Sequence, residues 1–201
     1  MMCAVREFRI GPNAVTQVAV ALERRLGRSF SGDLMRAAGL GSYLDAPPQQ
    51  MIVEREVIAL HHTMRERLQP ATATEIARAA GLATGDYLLA HRIPGLAQRA
   101  LRLLPARFAG RLLLRAITLH AWTFAGSGQF AATAGHPIVI TIAECPICRG
   151  AESRYPLCEY YAATFSRLFT RLVHRRARVR ETACHAAGAP ACRFEIDWHG
   201  R

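Results

Sequence analysis

The sequence predicts an α+β fold, with N-terminal helices packed on a C-terminal ββαββ antiparallel sheet unit. Three observations predict it. Apolar residues recur at helical spacing up to about residue 120. Runs of β-branched and alternating residues follow. Five of the six cysteines crowd into the last third, as expected of a site that staples a small sheet. The chain has 201 residues, 51% of them apolar and 20% charged, which excludes disorder as its dominant state. Gln17, Arg115, His120 and His136 interrupt the best apolar runs, so no membrane span is expected. Arg6, Glu7 and Arg9 fall where the apolar core of a signal peptide would begin, and a cytoplasmic protein is expected.

In chain order, Asn13 is placed to cap a helix over 14–26, with Val15, Val18, Ala19 and Leu22 on one face and Gly27 as the stop. Ser31 or Asp33 opens a short second helix that Gly39 ends, and a Gly- and Pro-rich loop covers 41–48. Residues 51–68 read as an amphipathic helix, with Ile52, Glu56, Ala59, Leu60, Met64 and Leu68 marking its period and Pro70 ending it. Thr72 or Thr74 begins a helix that Gly81 breaks, and a separate stretch over 86–92 meets Pro94. Helices near 95–104 and 106–120 are parted by Pro105. After Trp122 the period changes. Gly126, Ser127 and Gly128 form a turn between the helices and two strands, 129–134 and 137–142, the second rich in Ile and Val. Residues 157–174 return to helix, turning Leu157, Tyr161, Phe165, Leu168, Phe169 and Leu172 inward. Residues 178–184 and 192–198 alternate like strands joined by a turn at 187–190. A boundary near residue 110 divides a helical region, 1–110, that supplies a dimer contact and a pocket wall, from an α+β domain, 111–201, that carries the metal site.

The 26 basic residues against 15 acidic ones give a net charge of +11, and every basic residue is arginine. Without lysine there is neither a Schiff-base amine nor a Walker-type phosphate loop. A coding bias toward Arg and Ala accounts for part of this; a preference for anionic partners accounts for the rest. The run Arg167, Arg171, Arg175, Arg176, Arg178, Arg180 reads as a solvated face or as the rim of an anion site.

Sulfur and acid at the C-terminal end form the strongest constellation. Cys158 opens the long helix, Glu181 and Cys184 lie on the next strand, and Cys192 begins the last one. Three thiolates and a carboxylate make a closed tetrahedral site that suits zinc. A competing set uses the Cys145-Pro-Ile-Cys148 motif with Cys184 and Cys192 for zinc or an iron–sulfur centre. The Gly126-Ser-Gly128-Gln-Phe-Ala131 match to the dinucleotide fingerprint is a decoy, because 135–137 close the segment before any crossover helix can form. Residues 74–93 have the glycine placement of a helix-turn-helix, but the second helix offers few side chains that could read bases. The histidines form no metal triad, no Ser-His-Asp or Cys-His pairing is evident, and no catalytic residue is assigned.

The segment Cys158…Glu181-Thr-Ala-Cys184…Cys192-Arg-Phe resembles the C-terminal signature of the 4-vinyl reductase-type ligand-binding domains. That family includes sensor domains of aromatic-responsive transcription activators and is related to a vesicle-tethering subunit fold. The resemblance implies structural zinc on Cys158, Glu181, Cys184 and Cys192. Gly11-Pro-Asn-Ala-Val15, Thr84-Gly-Asp-Tyr-Leu-Leu-Ala90, Arg92-Ile-Pro94, Ala121-Trp-Thr-Phe-Ala-Gly-Ser-Gly-Gln-Phe130 and Cys148-Arg-Gly150 are similar to the bacteriochlorophyll-biosynthesis members of that family, which are called 4-vinyl reductases.

This resemblance implies work on a chlorophyll precursor. A vinyl reductase acting on divinyl (proto)chlorophyllide needs a hydride or electron source. The residues offer no nicotinamide or flavin fingerprint and fit better a module that binds a (magnesium) tetrapyrrole intermediate and carries it to pathway enzymes. The expected pocket lies between helices and sheet and is walled by Tyr87, His91, Arg92, His120, Trp122, Phe124 and Phe130, with His91 or His120 as axial ligand to magnesium. A ligand-responsive DNA-binding regulator is the third reading, and no nucleic-acid partner is expected. Further expectations are a homodimer and either a cytoplasmic place or one peripheral to the photosynthetic membrane.

Overall fold

The structure, a computed structural model, describes residues 7–198. Its N-terminal layer is helical: α1 (Asn13–Leu26), α2 (Arg28–Ala37), α3 (Glu54–Arg67) and α4 (Pro70–His91). The apolar stripe of α1 buries Val15, Val18 and Leu22 against this layer, as the helical period requires. Two short strands, β1 (Arg9–Ile10) and β2 (Ile52–Val53), pair antiparallel ahead of α3. Helices α5 (Gly95–Leu103), α6 (Ala106–Leu119) and α7 (Trp122–Ala125) follow. The C-terminal unit comprises β3 (Gln129–Thr133), β4 (Ile138–Ala143), α8 (Glu159–Leu172), β5 (Arg178–Ala183) and β6 (Cys192–Asp197). The four strands form one antiparallel sheet in the order β3-β4-β6-β5.

The ββαββ order and antiparallel sheet agree with the sequence, and α8 packs on one face of the sheet. On β4 the isoleucines alternate inward, and Ile140 stands opposite Phe194 of β6. Tyr161 and Phe165 of α8 meet Phe194 edge-on, which is the favoured arrangement of aromatic quadrupoles. The far side of α8 carries α4. The expected boundary at residue 110 falls inside α6.

Several elements differ from expectation. Residues 70–91 form a single helix, so neither a stop at Gly81 nor a helix-turn-helix exists there. The glycines serve packing instead. A Cβ on Gly81 would lie 2.2 Å from the Tyr160 carbonyl oxygen, and one on Gly85 would lie 2.5 Å from Cβ of Arg167. Bare backbone at these positions lets α4 and α8 touch. Helix α2 begins at Arg28 rather than at Ser31 or Asp33, and Asn13 is the first residue of α1 rather than its cap. The segment expected as a helix from residue 51 begins as strand β2, because Ile52 and Val53 pair with Ile10 and Arg9. The short helix α7 had no sequence counterpart. Among the described residues no helix is long and apolar enough to cross a membrane.

Candidate metal centre

Three elements deliver the cluster. Cys158 precedes α8, Cys192 begins β6, and Glu181 and Cys184 flank the end of β5. Residues three apart on a regular strand face opposite sides. Here the β5–β6 register shifts between Glu181 and Ala183. This bulge restores the parity that turns both Glu181 and Cys184 toward Cys158. Cys145 and Cys148 arrive from the tight loop after β4, where the Cys148 N–H donates to the Cys145 carbonyl at 3.2 Å.

All five sulfurs are buried and free. Sγ of Cys158 lies 3.5 Å from those of Cys145 and Cys192. Sγ of Cys192 lies 3.4 Å from that of Cys148 and 3.9 Å from that of Cys184. A disulfide needs about 2.05 Å. Tetrahedral ligands about an ion with metal–sulfur bonds of about 2.3 Å stand roughly 3.8 Å apart, so the spacing suits a shared ion. The carboxylate Oε2 of Glu181 accepts the Cys158 N–H at 2.8 Å, while its buried Oε1 has no partner among the described residues. Backbone N–H groups donate to sulfur as well, Leu157 to Cys184 and His185 to Cys192, each at 3.4 Å. Such donors stabilise thiolates. Burial, with the Cys184 sulfur next, pushes the Glu181 carboxyl up to about 9, and burial likewise pushes the Cys158 thiol well up. Those protons must leave when a cation enters.

Two four-ligand sets have all their donor atoms within 4.8 Å of one another. One is the expected set, Cys158, Glu181, Cys184 and Cys192. The other joins Cys145 and Cys148 to Cys158 and Cys192, which corrects the expected pairing of the Cys145–Cys148 motif with Cys184 and Cys192. The described cysteines thus gather into a single knot, and the donor chemistry and spacing fit a metal ion.

Helix α3 holds the cysteine loop. Arg65 donates to the Ile147 carbonyl, and Nε2 of His62 donates to the Arg149 carbonyl at 2.7 Å. Arg149 pairs with Glu54 at 2.8 Å, and Glu54 accepts from both the backbone N–H and the hydroxyl of Ser127. Burial lowers the Arg65 pKa, while the cysteine sulfurs, Cys158 foremost, oppose that shift. None of these residues was singled out from the sequence, because nothing local ties residues 54–65 to a loop some eighty positions later.

The residues expected around a pigment do not converge on one cavity. Tyr87 stacks on exposed His91, with ring centroids 4.8 Å apart, and Arg92 is exposed beside them. His120 is exposed at the end of α6, and Trp122 is 64% exposed. Phe124 and Phe130 meet edge-on and join Tyr161, Phe165 and Phe194 between α8 and the sheet. The pocket expected there is filled by this aromatic cluster. Two open clefts, of about 480 and 300 Å³, lie elsewhere, one beside Arg9, Tyr43 and Glu56 and the other between α1 and α4.

Comparison with known proteins gives the context. Residues 138–197, the sheet and α8, match the 4-vinyl reductase domain family. The chain is 48% identical over 193 residues to the bacteriochlorophyll synthase 23 kDa chain of Cereibacter sphaeroides, covering 96% of this chain and 92% of that one. The chain belongs to the bacteriochlorophyll synthase 23 kDa chain family. The Rhodobacter capsulatus member is 40% identical, over 97% of this chain and 90% of its own. The fold of this family member is similar to that of H-NOX proteins. One, from S. oneidensis in an Fe(II)NO ligation state, has a TM-score of 0.55 at 10% identity, covering 95% of this chain and all of that one. Another, from work on heme distortion, has a TM-score of 0.57 at 11% identity, covering 95% and 96%. At such identity the likeness is one of fold.

Proposed function

We propose that this chain binds a (magnesium) tetrapyrrole intermediate of bacteriochlorophyll biosynthesis and presents it to pathway enzymes. One observation carries the reading: an apolar face on α5–α7 that the fold leaves uncovered. Helix α5 buries none of its residues. Leu96, Leu103, Phe108, Leu112, Leu119 and Trp122 are exposed. On α6 the helical period puts Phe108, Leu112 and Leu119 in one stripe and Arg107, Arg111 and Arg115 in the next. A flat apolar macrocycle with anionic propionates matches both stripes. His120 closes the stripe. Its Nδ1 donates to the Ala116 carbonyl at 2.8 Å, which leaves Nε2 with the lone pair an axial ligand needs. His91, stacked on Tyr87, is the alternative ligand.

In this reading zinc is the structural ion, held by Cys158, Glu181, Cys184 and Cys192. Four protein ligands close the site to water, so the ion supplies folding energy rather than chemistry. The chain acts as a homodimer peripheral to the photosynthetic membrane, with 1–110 as the dimerising part; light scattering and flotation with anionic vesicles read these two points.

Titrating purified protein with a magnesium porphyrin tests the function. A Soret shift that saturates, and that weakens in His120→Ala, is expected. A flat titration overturns the carrier. Reduction of the vinyl group of divinyl (proto)chlorophyllide is the second reading, favoured by the match to the 4-vinyl reductase domain. Loss of the vinyl group with NADPH or reduced ferredoxin would establish it in place of simple carriage.

A further inference from the structure

We propose that the sulfur knot holds two metal ions that share Cys158 and Cys192. This rests on the zinc reading above and adds a second site to it. The two four-ligand sets have those two thiols in common, 3.5 Å apart. Two tetrahedra that share an edge have this form: two bridging sulfurs, with two terminal ligands on each ion. Cys145 and Cys148 end one ion; Glu181 and Cys184 end the other. Each ion then has four protein donors, as a closed zinc site requires.

The loop that carries Cys145 and Cys148 is built for this purpose. Both residues are fully buried. Each sulfur touches a shared one, Cys145 to Cys158 at 3.5 Å and Cys148 to Cys192 at 3.4 Å. Neither contact involves Cys184, so the loop completes its own tetrahedron and does not compete for the other. Glu54, His62 and Arg65 of α3 fix the loop at three points. Charge also favours the pair. Five thiolates and one carboxylate against two divalent ions leave a net charge of −2, the same as a single ion on three thiolates and a carboxylate. The second ion therefore adds no uncompensated charge. Arg65, whose side chain is mostly buried and whose Nη1 lacks a partner, faces the cysteines and offsets part of it. On loading, five S–H protons and the Glu181 proton pass to solvent as two hydrated ions shed water.

Elemental analysis and native mass spectrometry of the zinc-reconstituted chain test this directly. Two zinc ions per chain are expected. Cys145→Ser with Cys148→Ser, and separately Glu181→Gln with Cys184→Ser, should each lower the count to one. If either variant fails to fold, cadmium NMR of the unmodified chain decides: two resonances, mutually coupled through the shared sulfurs, are expected. A single resonance, or one zinc per chain, overturns the shared pair and leaves the one-ion reading intact. No zinc at all removes both readings, and stoichiometric iron with labile sulfide replaces them with a cluster.

Discussion

His61 is fully buried on α3, its ring edge against Tyr160, and neither nitrogen has a hydrogen-bond partner among the described residues. Burial, aided by Arg65 and His62 and opposed by Cys148, lowers its pKa to about 3. The unfolded chain takes up a proton near 6.5, the folded chain only near 3. Stability from this group is therefore complete above about pH 6.5 and is lost as pH falls toward 3, by up to ~1.4 kcal/mol per pH unit. Urea unfolding at pH 7 and pH 5 should show a smaller acid loss in His61→Leu than in the unmodified chain. At pH 7 the same variant should gain about 1 kcal/mol, since two unpaired polar atoms disappear. An equal acid loss in both proteins would show that His61 does not titrate between those values. From the sequence, His61 and His62 shared a helix on which one at most could face inward. Tertiary contact decides which, and no periodicity predicts that.

At the scale of elements, α4 teaches most. A glycine that ends a helix and a glycine that lets two helices touch look alike in the chain. Gly81 was read as the first and is the second. Gly81→Ala should cost about 3 kcal/mol or more, because the added methyl meets backbone rather than a movable side chain. Gly95→Ala, where nothing stands within 4 Å, should gain about 0.5 kcal/mol. Thermal unfolding of the two variants checks the contrast. The sheet and α8 were legible because period and β-branching are local signals. Strands β1 and β2 were not, since two residues carry no period and their pairing joins Ile10 to Ile52 across the chain. The metal ligands of α8, β5 and β6 were legible as a set. That Cys145 and Cys148 join Cys158 was not, because loop direction is fixed by α3.

For the molecule as a whole, the sulfur knot ties α8, two strands and the loop held by α3. Cys184→Ser should lower metal content and Tm together, by on the order of 3 kcal/mol or roughly 6–12 °C; full metal content in that variant would contradict its role as a ligand. The apolar face makes the opposite prediction. Leu103→Glu with Leu112→Glu should abolish the porphyrin-induced Soret shift and leave Tm within about 2 °C, because both side chains already face water. A retained shift would move the pigment to another surface.

Glu54 has a consequence for assembly. One carboxylate grips Arg149, next to the cysteine pair, and Ser127, on the turn that follows α7. Trp122 and His120 hang from the other end of that short stretch. Filling the sulfur knot thus stiffens the ground on which the macrocycle rests. A cell starved of the ion would make a chain with nowhere firm to set its pigment, and colour would follow mineral supply.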